Sequence, residues 1–160
     1  MRVKTIVDED FSDYKKIAME IATCFCDFKC CRELGIPISV CQHAPIYNQP
    51  NIEVSAGDLF SRYISNPLSQ SIVFAGFEPM LQFDEMIEVI DYFRSNGICD
   101  DIVIFTGYQE EELQKKLIAL QKDDNVVVKF GRFVPNQQAH LDPILGVKLI
   151  SDNQYAKRIS

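Results

Sequence analysis

Short apolar runs alternate with amphipathic segments through the middle of the chain, and a glycine follows each run within two residues. The runs are 71–75, 102–105 and 126–130, and each is too short to be a buried helix. Between them, residues 82–96 and 109–120 repeat apolar side chains at helical spacing. Strands that alternate with helices of this length predict βαβ units and therefore a parallel sheet.

Further elements extend this pattern in both directions along the chain. Residues 3–6 and 17–22 are predicted as strands, and 55–64 as a helix capped by Ser55. Beyond residue 130, prolines and glycines interrupt any periodicity, so we predict an irregular segment with a short strand near 147–150 and a mobile end. No linker or internal repeat is visible, which predicts a single domain over residues 1–160.

The length of the chain limits the architecture that this sheet can form. A closed (β/α)8 barrel needs roughly 250 residues, whereas this chain has 160. The predicted fold class is therefore α/β, a partial (β/α) barrel with mostly parallel strands. In such folds the chemistry gathers at the carboxyl ends of the strands. The loops at 24–41, 76–79 and 106–108 each follow a predicted strand, so we expect them to meet at one edge.

Charge and composition exclude several classes of partner. Net charge is −7 and the pI is about 4.8, so no overall basic field favours nucleic acid or an anionic membrane. The apolar runs are much shorter than a bilayer span, and the N-terminus lacks the pattern of a signal peptide. We therefore expect a cytoplasmic protein with no nucleic-acid or membrane partner.

Five of the six cysteines lie in one short stretch, at positions 24, 26, 30, 31 and 41. In a reducing compartment such a cluster indicates soft-metal or iron–sulfur ligands rather than disulfides. Cys26, Cys30 and Cys41 supply three thiolates, which leave one iron of a four-iron cluster without a protein ligand. His43 keeps a Cys3His zinc site open as an alternative. The roles of the two other clustered thiols remain open between alternative ligands, neighbouring thiols and ordinary loop residues.

Several motifs follow the cysteine loop in a fixed order. They are Ala75-Gly76-Phe77-Glu78-Pro79 with Gln82, Phe105-Thr106-Gly107-Tyr108 followed by Glu111-Glu112-Leu113, Gly131-Arg132-Phe133, and Ser151-Asp152-Asn153-Gln154. In order and spacing they resemble the radical S-adenosylmethionine superfamily. Within it, the chain most closely resembles the activating proteins of anaerobic ribonucleoside-triphosphate reductase. The resemblance covers most of the chain.

The resemblance implies a truncated radical S-adenosylmethionine fold that carries a [4Fe-4S] cluster on Cys26, Cys30 and Cys41. S-adenosylmethionine would chelate the fourth iron and be cleaved reductively to a 5′-deoxyadenosyl radical. The implied cofactor-binding residues are Gly76, Glu78, Val40 and Thr106, with the Glu78 carboxylate accepting from the methionyl ammonium. The implied partners are a larger glycyl radical enzyme, similar to anaerobic ribonucleotide reductase, and an electron donor such as flavodoxin or ferredoxin.

The sequence also departs from the pattern of that family. The usual C-x3-C-x2-C spacing would place its third ligand at Glu33, so Cys41 fits only after an insertion of about eight residues at 31–38. Val40 stands where an aromatic residue usually covers the adenine, Phe77 where a second glycine is usual, and Phe130 where an aspartate is common. These departures favour an alternative hypothesis, a non-catalytic iron–sulfur or zinc protein in which the fold serves structure or partner binding.

Three other polar side chains have two interpretations each. Arg132 would pair either with a ligand carboxylate or with a surface carboxylate. Tyr108 would line the cofactor pocket or pack at the sheet edge. Glu78 has the alternative of a solvated residue at a helix start.

His43 and His140 have no partner in the sequence pattern and are expected to be surface or core residues. Cys99 is expected to be a small core residue rather than a ligand.

Overall fold

The computed structural model describes all 160 residues and contains one seven-stranded sheet with a small hairpin beside it. The strands in chain order are β1 Arg2–Asp10, β2 Ala18–Thr23, β3 Ile52–Glu53, β4 Ser71–Gly76, β5 Asp101–Phe105, β6 Val126–Phe130, β7 His140–Leu141, β8 Lys148–Leu149 and β9 Tyr155–Arg158. The order across the main sheet is β3-β1-β2-β4-β5-β6-β9, and β7 pairs only with β8.

The four central strands β2, β4, β5 and β6 are parallel, whereas the pairings at both edges are antiparallel. The predicted α/β fold with a mostly parallel sheet is therefore confirmed. The sheet ends at β3 on one side and β9 on the other, without closure into a barrel. The partial barrel stays a prediction.

Four helices connect these strands: α1 Lys29–Leu34, α2 Ala56–Ser65, α3 Phe83–Ser95 and α4 Gln114–Leu120. Short 3-10 turns lie at Ile38–Val40, Ala44–Ile46, Pro79–Gln82 and Glu110–Glu112. No helix is long and apolar enough to cross a membrane. Ser55 caps α2 as predicted, because its hydroxyl accepts from the Asp58 amide at 3.0 Å and Asp58 bonds back to Ser55.

Two predicted segments differ from the structure. The helix predicted at 109–120 is shorter, because the Glu112 carboxylate turns back to accept from the Gln109 amide at 2.7 Å and closes a separate turn. The prediction of a mobile chain end is wrong for Tyr155–Arg158, which pair with β6 and bury Ala156 against the sheet.

The two faces of the sheet are covered by different parts of the chain. One face packs against α2, α3 and α4 and holds the larger apolar core. The other face carries a smaller core, covered by Tyr14 and by Leu145 and Leu149 of the C-terminal segment. Because side chains alternate along a strand, Val126 and Val128 face the helices while Val127 and Lys129 face the opposite side. Lys129 and Leu149, which lie on this second side of the sheet, also line the cleft described below.

Candidate metal centre

The loops that follow β2, β4 and β5 meet at the carboxyl edge of the parallel strands, as predicted. They line one cleft of about 320 Å³ together with the end of β6 and the C-terminal segment. The lining includes Cys26, Cys30, Cys41, Gln42, His43, Gly76, Phe77, Glu78, Thr106, Gly107 and Lys129. All three predicted cluster ligands and three of the four predicted cofactor-binding residues therefore border the same space. Their roles remain predictions.

Two of the thiols are placed by the turn that starts α1. Phe28 has a left-handed backbone (φ 51°), and its amide donates to the Cys26 sulfur at 3.2 Å. Cys30 lies one residue into α1, with its sulfur 3.9 Å from that of Cys31. Burial raises the pKa of Cys26 to about 12 and that of Cys30 to about 11. Without a metal these thiols are protonated at neutral pH, so metal binding must release their protons.

The third thiol reaches the cleft because the loop between α1 and β3 folds around an apolar cluster. Phe28, Cys31 and Phe77 form the centre of this cluster, and Cys26, Cys30, Ile36, Cys41 and Ile46 pack against them. The Phe77 ring centroid lies 5.9 Å from that of Phe28 and 6.0 Å from that of Tyr47. Phe77 thus packs against the loop that carries Cys41. Burial also raises the pKa of Cys41.

Neither Glu33 nor Val40 lines the cleft. The Glu33 carboxylate lies on the outer side of α1 and accepts from the Arg132 guanidinium at 3.1 Å, so this position supplies no ligand to the cleft. Val40 is 38% exposed at the end of its 3-10 turn. Its predicted contact with adenine is untested, while its neighbours Cys41 to His43 do border the cleft.

Glu78 is buried and held by three donors. Its carboxylate accepts from the Thr106 hydroxyl at 2.7 Å, the Gly107 amide at 2.9 Å and the Met80 amide at 3.0 Å. Burial raises the pKa of Glu78, and these hydrogen bonds oppose the shift. The alternative of a solvated helix-start residue is therefore wrong. Thr106 acts here by fixing the Glu78 carboxylate at the wall of the cleft.

Gly76 has a structural requirement of its own. Its φ is +81°, and an added Cβ would lie 2.9 Å from both the Ala22 Cα and the Thr23 amide nitrogen of β2. Only glycine tolerates this backbone conformation together with so close a neighbouring strand. The predicted approach of a methionyl group to Gly76 is untested, and the packing of β4 against β2 accounts for the glycine without it.

The two remaining clustered thiols lie outside the cleft. Cys24 is buried, and its amide donates to Gln82 Oε1 at 2.7 Å while Gln82 Nε2 donates to the Arg2 carbonyl at 2.8 Å. Gln82 thereby fixes the start of the cysteine loop. Cys31 is buried in the apolar cluster around Phe77. Cys99 is exposed, contrary to the expectation of a small buried residue.

Sequence reasoning missed Lys129 as a residue of this site. The side chain is buried at the cleft, with its ammonium donating to the Gly131 carbonyl at 3.0 Å. Burial lowers the pKa of Lys129 to about 8, although the nearby Glu78 carboxylate opposes this shift. A single lysine inside the apolar run 126–130 was the signal in the sequence.

Three thiols at the carboxyl edge of a parallel sheet define a protein that binds a metal through thiolates. Residues 26–154 match the family model of the 4Fe-4S single cluster domain, and the match includes Cys26, Cys30 and Cys41. The chain therefore belongs to the 4Fe-4S single cluster domain family and contains a domain that binds such a cluster. No curated protein and no solved structure matches the chain.

Proposed function

We propose that this chain is a radical S-adenosylmethionine enzyme of the activating type, which generates a radical for transfer to a glycine on a larger protein. The observation that carries the proposal is that three thiols, a fixed carboxylate and three strand-end loops border one cleft. With its cluster bound, the site would supply one-electron reductive cleavage of S-adenosylmethionine to methionine and a 5′-deoxyadenosyl radical.

The donor set fits a four-iron cluster with one open iron. Cys26, Cys30 and Cys41 are soft ligands, and they offer three thiolates rather than four. Their three sulfurs do not all lie within 4.8 Å of one another. A single zinc ion, with Zn–S bonds of about 2.3 Å, draws its ligands closer together than this. The three thiols therefore do not form a ready-made site for one small ion.

The chain's own residues would orient the substrate at this centre. Glu78 is held by Thr106 and Gly107, so its carboxylate is already placed to accept from an ammonium group without further ordering. Phe77 and Phe105 supply apolar walls that limit water around the reacting atoms.

A protein partner is supported by the surface beside the cysteines. Leu34, Ile38, Val40 and Tyr47 are large apolar residues of the 24–47 loop, and all four are exposed. Exposed apolar residues that are close together in the chain are a feature of protein-contact surfaces when they form one patch. We propose a glycyl radical enzyme similar to anaerobic ribonucleotide reductase as this partner, with flavodoxin or ferredoxin as the electron donor.

Reductive cleavage of S-adenosylmethionine tests the proposal directly. After anaerobic reconstitution and reduction, we expect the protein to release 5′-deoxyadenosine, measured by chromatography. Glu78→Gln should lower the rate by about tenfold or more, since a hydrogen bond to a charged group contributes about 1.5–3 kcal/mol. Glu88→Gln, on the exposed face of α3, is the matched control. A fully loaded wild-type protein that releases no 5′-deoxyadenosine would refute the activity.

A second candidate function, a non-catalytic cluster protein, is favoured by His43. The imidazole borders the cleft two residues after Cys41, with its ring centroid 5.9 Å from that of Phe77. Burial lowers the pKa of His43, which leaves the neutral form that ligates metals. A histidine on the fourth iron would leave no position for S-adenosylmethionine.

His43→Gln separates the two candidates. Under the enzyme proposal we expect the variant to keep its iron content and its electron paramagnetic resonance spectrum. The spectrum of the wild-type protein should then shift when S-adenosylmethionine is added. If His43 is the fourth ligand, the substitution itself changes the spectrum, and S-adenosylmethionine leaves the wild-type spectrum unaltered.

A further inference from the structure

One arginine joins three segments around the cleft. Arg132 follows β6, and its side chain is only 13% exposed. Its two terminal nitrogens donate to the two carboxylate oxygens of Glu112 at 2.9 and 3.0 Å. The same guanidinium donates to Glu33 of α1 at 3.1 Å and to the Gly107 carbonyl at 3.4 Å. The loop after β6, the loop after β5 and the cysteine helix therefore share one cation.

Other contacts join α1 and the turn before it to the loop after β5. Lys29 forms an ion pair with Glu112, and its ammonium lies 5.4 Å from the centroid of the Tyr108 ring. The Tyr108 hydroxyl donates to Asp27 Oδ2 at 3.1 Å, just before the helix begins. Tyr108 thus packs at the edge of the site and ties the turn that carries Cys26 to the loop after β5.

The helix needs such external contacts because it is very short. α1 has six residues, whereas isolated helices below about 12–15 residues are marginal in water. Cys31 packs on Phe28 and Phe77 on its inner side, and Glu33 and Lys29 are bonded on its outer side. The apolar cluster and the ion pairs therefore hold α1 from opposite sides.

We propose that Arg132 is the positioning residue of the cysteine helix: by binding Glu33 and Glu112 together, it holds α1 closed over the sheet edge and keeps Cys30 at the cleft. Arg132 acts through Glu33 and does not contact the metal centre. Glu33 stands where a third cysteine would be in the shorter family spacing. Its carboxylate binds Arg132 and anchors α1 instead of ligating a metal. The inference is independent of S-adenosylmethionine cleavage.

Isolated surface ion pairs contribute only about 0–1 kcal/mol, so the geometry of Arg132 matters. A planar guanidinium that binds one carboxylate through two nitrogens and also reaches a second carboxylate is more ordered than a single exposed pair. The lysine ammonium cannot bind a carboxylate through two nitrogens, so we expect Arg132→Lys to hold α1 little better than a variant without the positive charge.

In protein without a cluster, the rate at which Cys31 is alkylated reports how often α1 moves away from its packed position. Cys31 is 2% exposed because it packs on Phe28 and Phe77, so iodoacetamide reaches its sulfur only when α1 moves away from Phe77. In full-length cluster-free protein we expect Glu33→Gln to raise the Cys31 alkylation rate by about two- to fivefold. Arg132→Met should raise it by about tenfold, as mass spectrometry of the Cys31 peptide would show. Arg62→Met, which breaks a distant exposed pair with Asp8, should leave it unchanged.

Two further measurements distinguish positioning from general stability. The effects of Glu33→Gln and Arg132→Met on the Cys31 alkylation rate should be less than additive in the double variant, because both substitutions break the same contact between Arg132 and Glu33. In reconstituted protein, both variants should release iron to a chelator faster than Arg62→Met, with an unchanged far-ultraviolet circular dichroism spectrum. Should Arg132→Met fail to fold, Glu33→Gln still decides, since Glu33 is exposed.

Each outcome has a defined meaning. Cys31 alkylation and iron release equal to those of Arg62→Met would overturn the role of Arg132 and leave the proposed activity standing. Faster alkylation in a protein that cleaves no S-adenosylmethionine would support the role of Arg132 and refute the activity.

Discussion

Replacing Cys26, Cys30 or Cys41 singly with alanine is expected to abolish stable cluster binding. Each change removes one of three thiolate ligands, and a four-iron cluster held by two protein ligands is easily lost. Iron content after anaerobic reconstitution should fall from about four atoms per chain to near zero. Cluster absorption in the visible range should disappear with it.

The other cysteines provide matched controls for this experiment. Cys99 is exposed and far from the loop in sequence, so Cys99→Ala should retain full iron content. Cys24→Ala should also retain it, because the Cys24 side chain does not border the cleft. Full iron content in all three ligand variants would show that the ligand assignment is wrong. Loss in Cys31→Ala with retention in Cys41→Ala would move the third ligand into α1.

The parallel centre of the sheet was predictable because its strands are apolar on both faces. Runs such as 102–105 and 126–130 are covered by helices on one side and by the C-terminal segment on the other, so they contain few polar residues. Strand β1, which lies next to the edge strand β3, and the edge strand β9 carry many charges, since they are partly exposed. Only residues 3–6 of β1 were predicted as a strand, and the apolar pattern of β9 is too weak to reveal it, so β9 was predicted as a mobile end.

The position of residues at the cleft was predictable where thiol chemistry or the family resemblance selects them, while their roles stay predictions. Cys26 and Cys30 were selected by thiol spacing, and Glu78 by the resemblance. Phe77 was different, because its role depends on contact with the cysteine loop, which is far away in sequence. The ion pairs of Arg132 likewise join segments that only the fold brings together.

Gly76→Ala is expected to destabilise the fold strongly, whatever ligand the cleft binds. A residue with a Cβ pays about 1–2 kcal/mol for the left-handed backbone. The new Cβ would also lie 2.9 Å from the backbone of Ala22 and Thr23. Such overpacking destabilises a protein by a further ~1–3 kcal/mol. For a chain of this size, a total loss of about 3 kcal/mol lowers Tm by about 6–12 °C.

Gly97→Ala is the matched control because it changes only one of these two contributions. Gly97 has φ +85°, but an added Cβ there would meet no atom within 4 Å. Chemical denaturation of cluster-free protein should show a loss of about 1–2 kcal/mol for Gly97→Ala and a clearly larger loss for Gly76→Ala. The difference between the two variants measures the contact of β4 with β2. Equal losses would mean that β2 yields to the methyl group, and a defect of Gly76→Ala in S-adenosylmethionine binding would then reflect direct ligand contact.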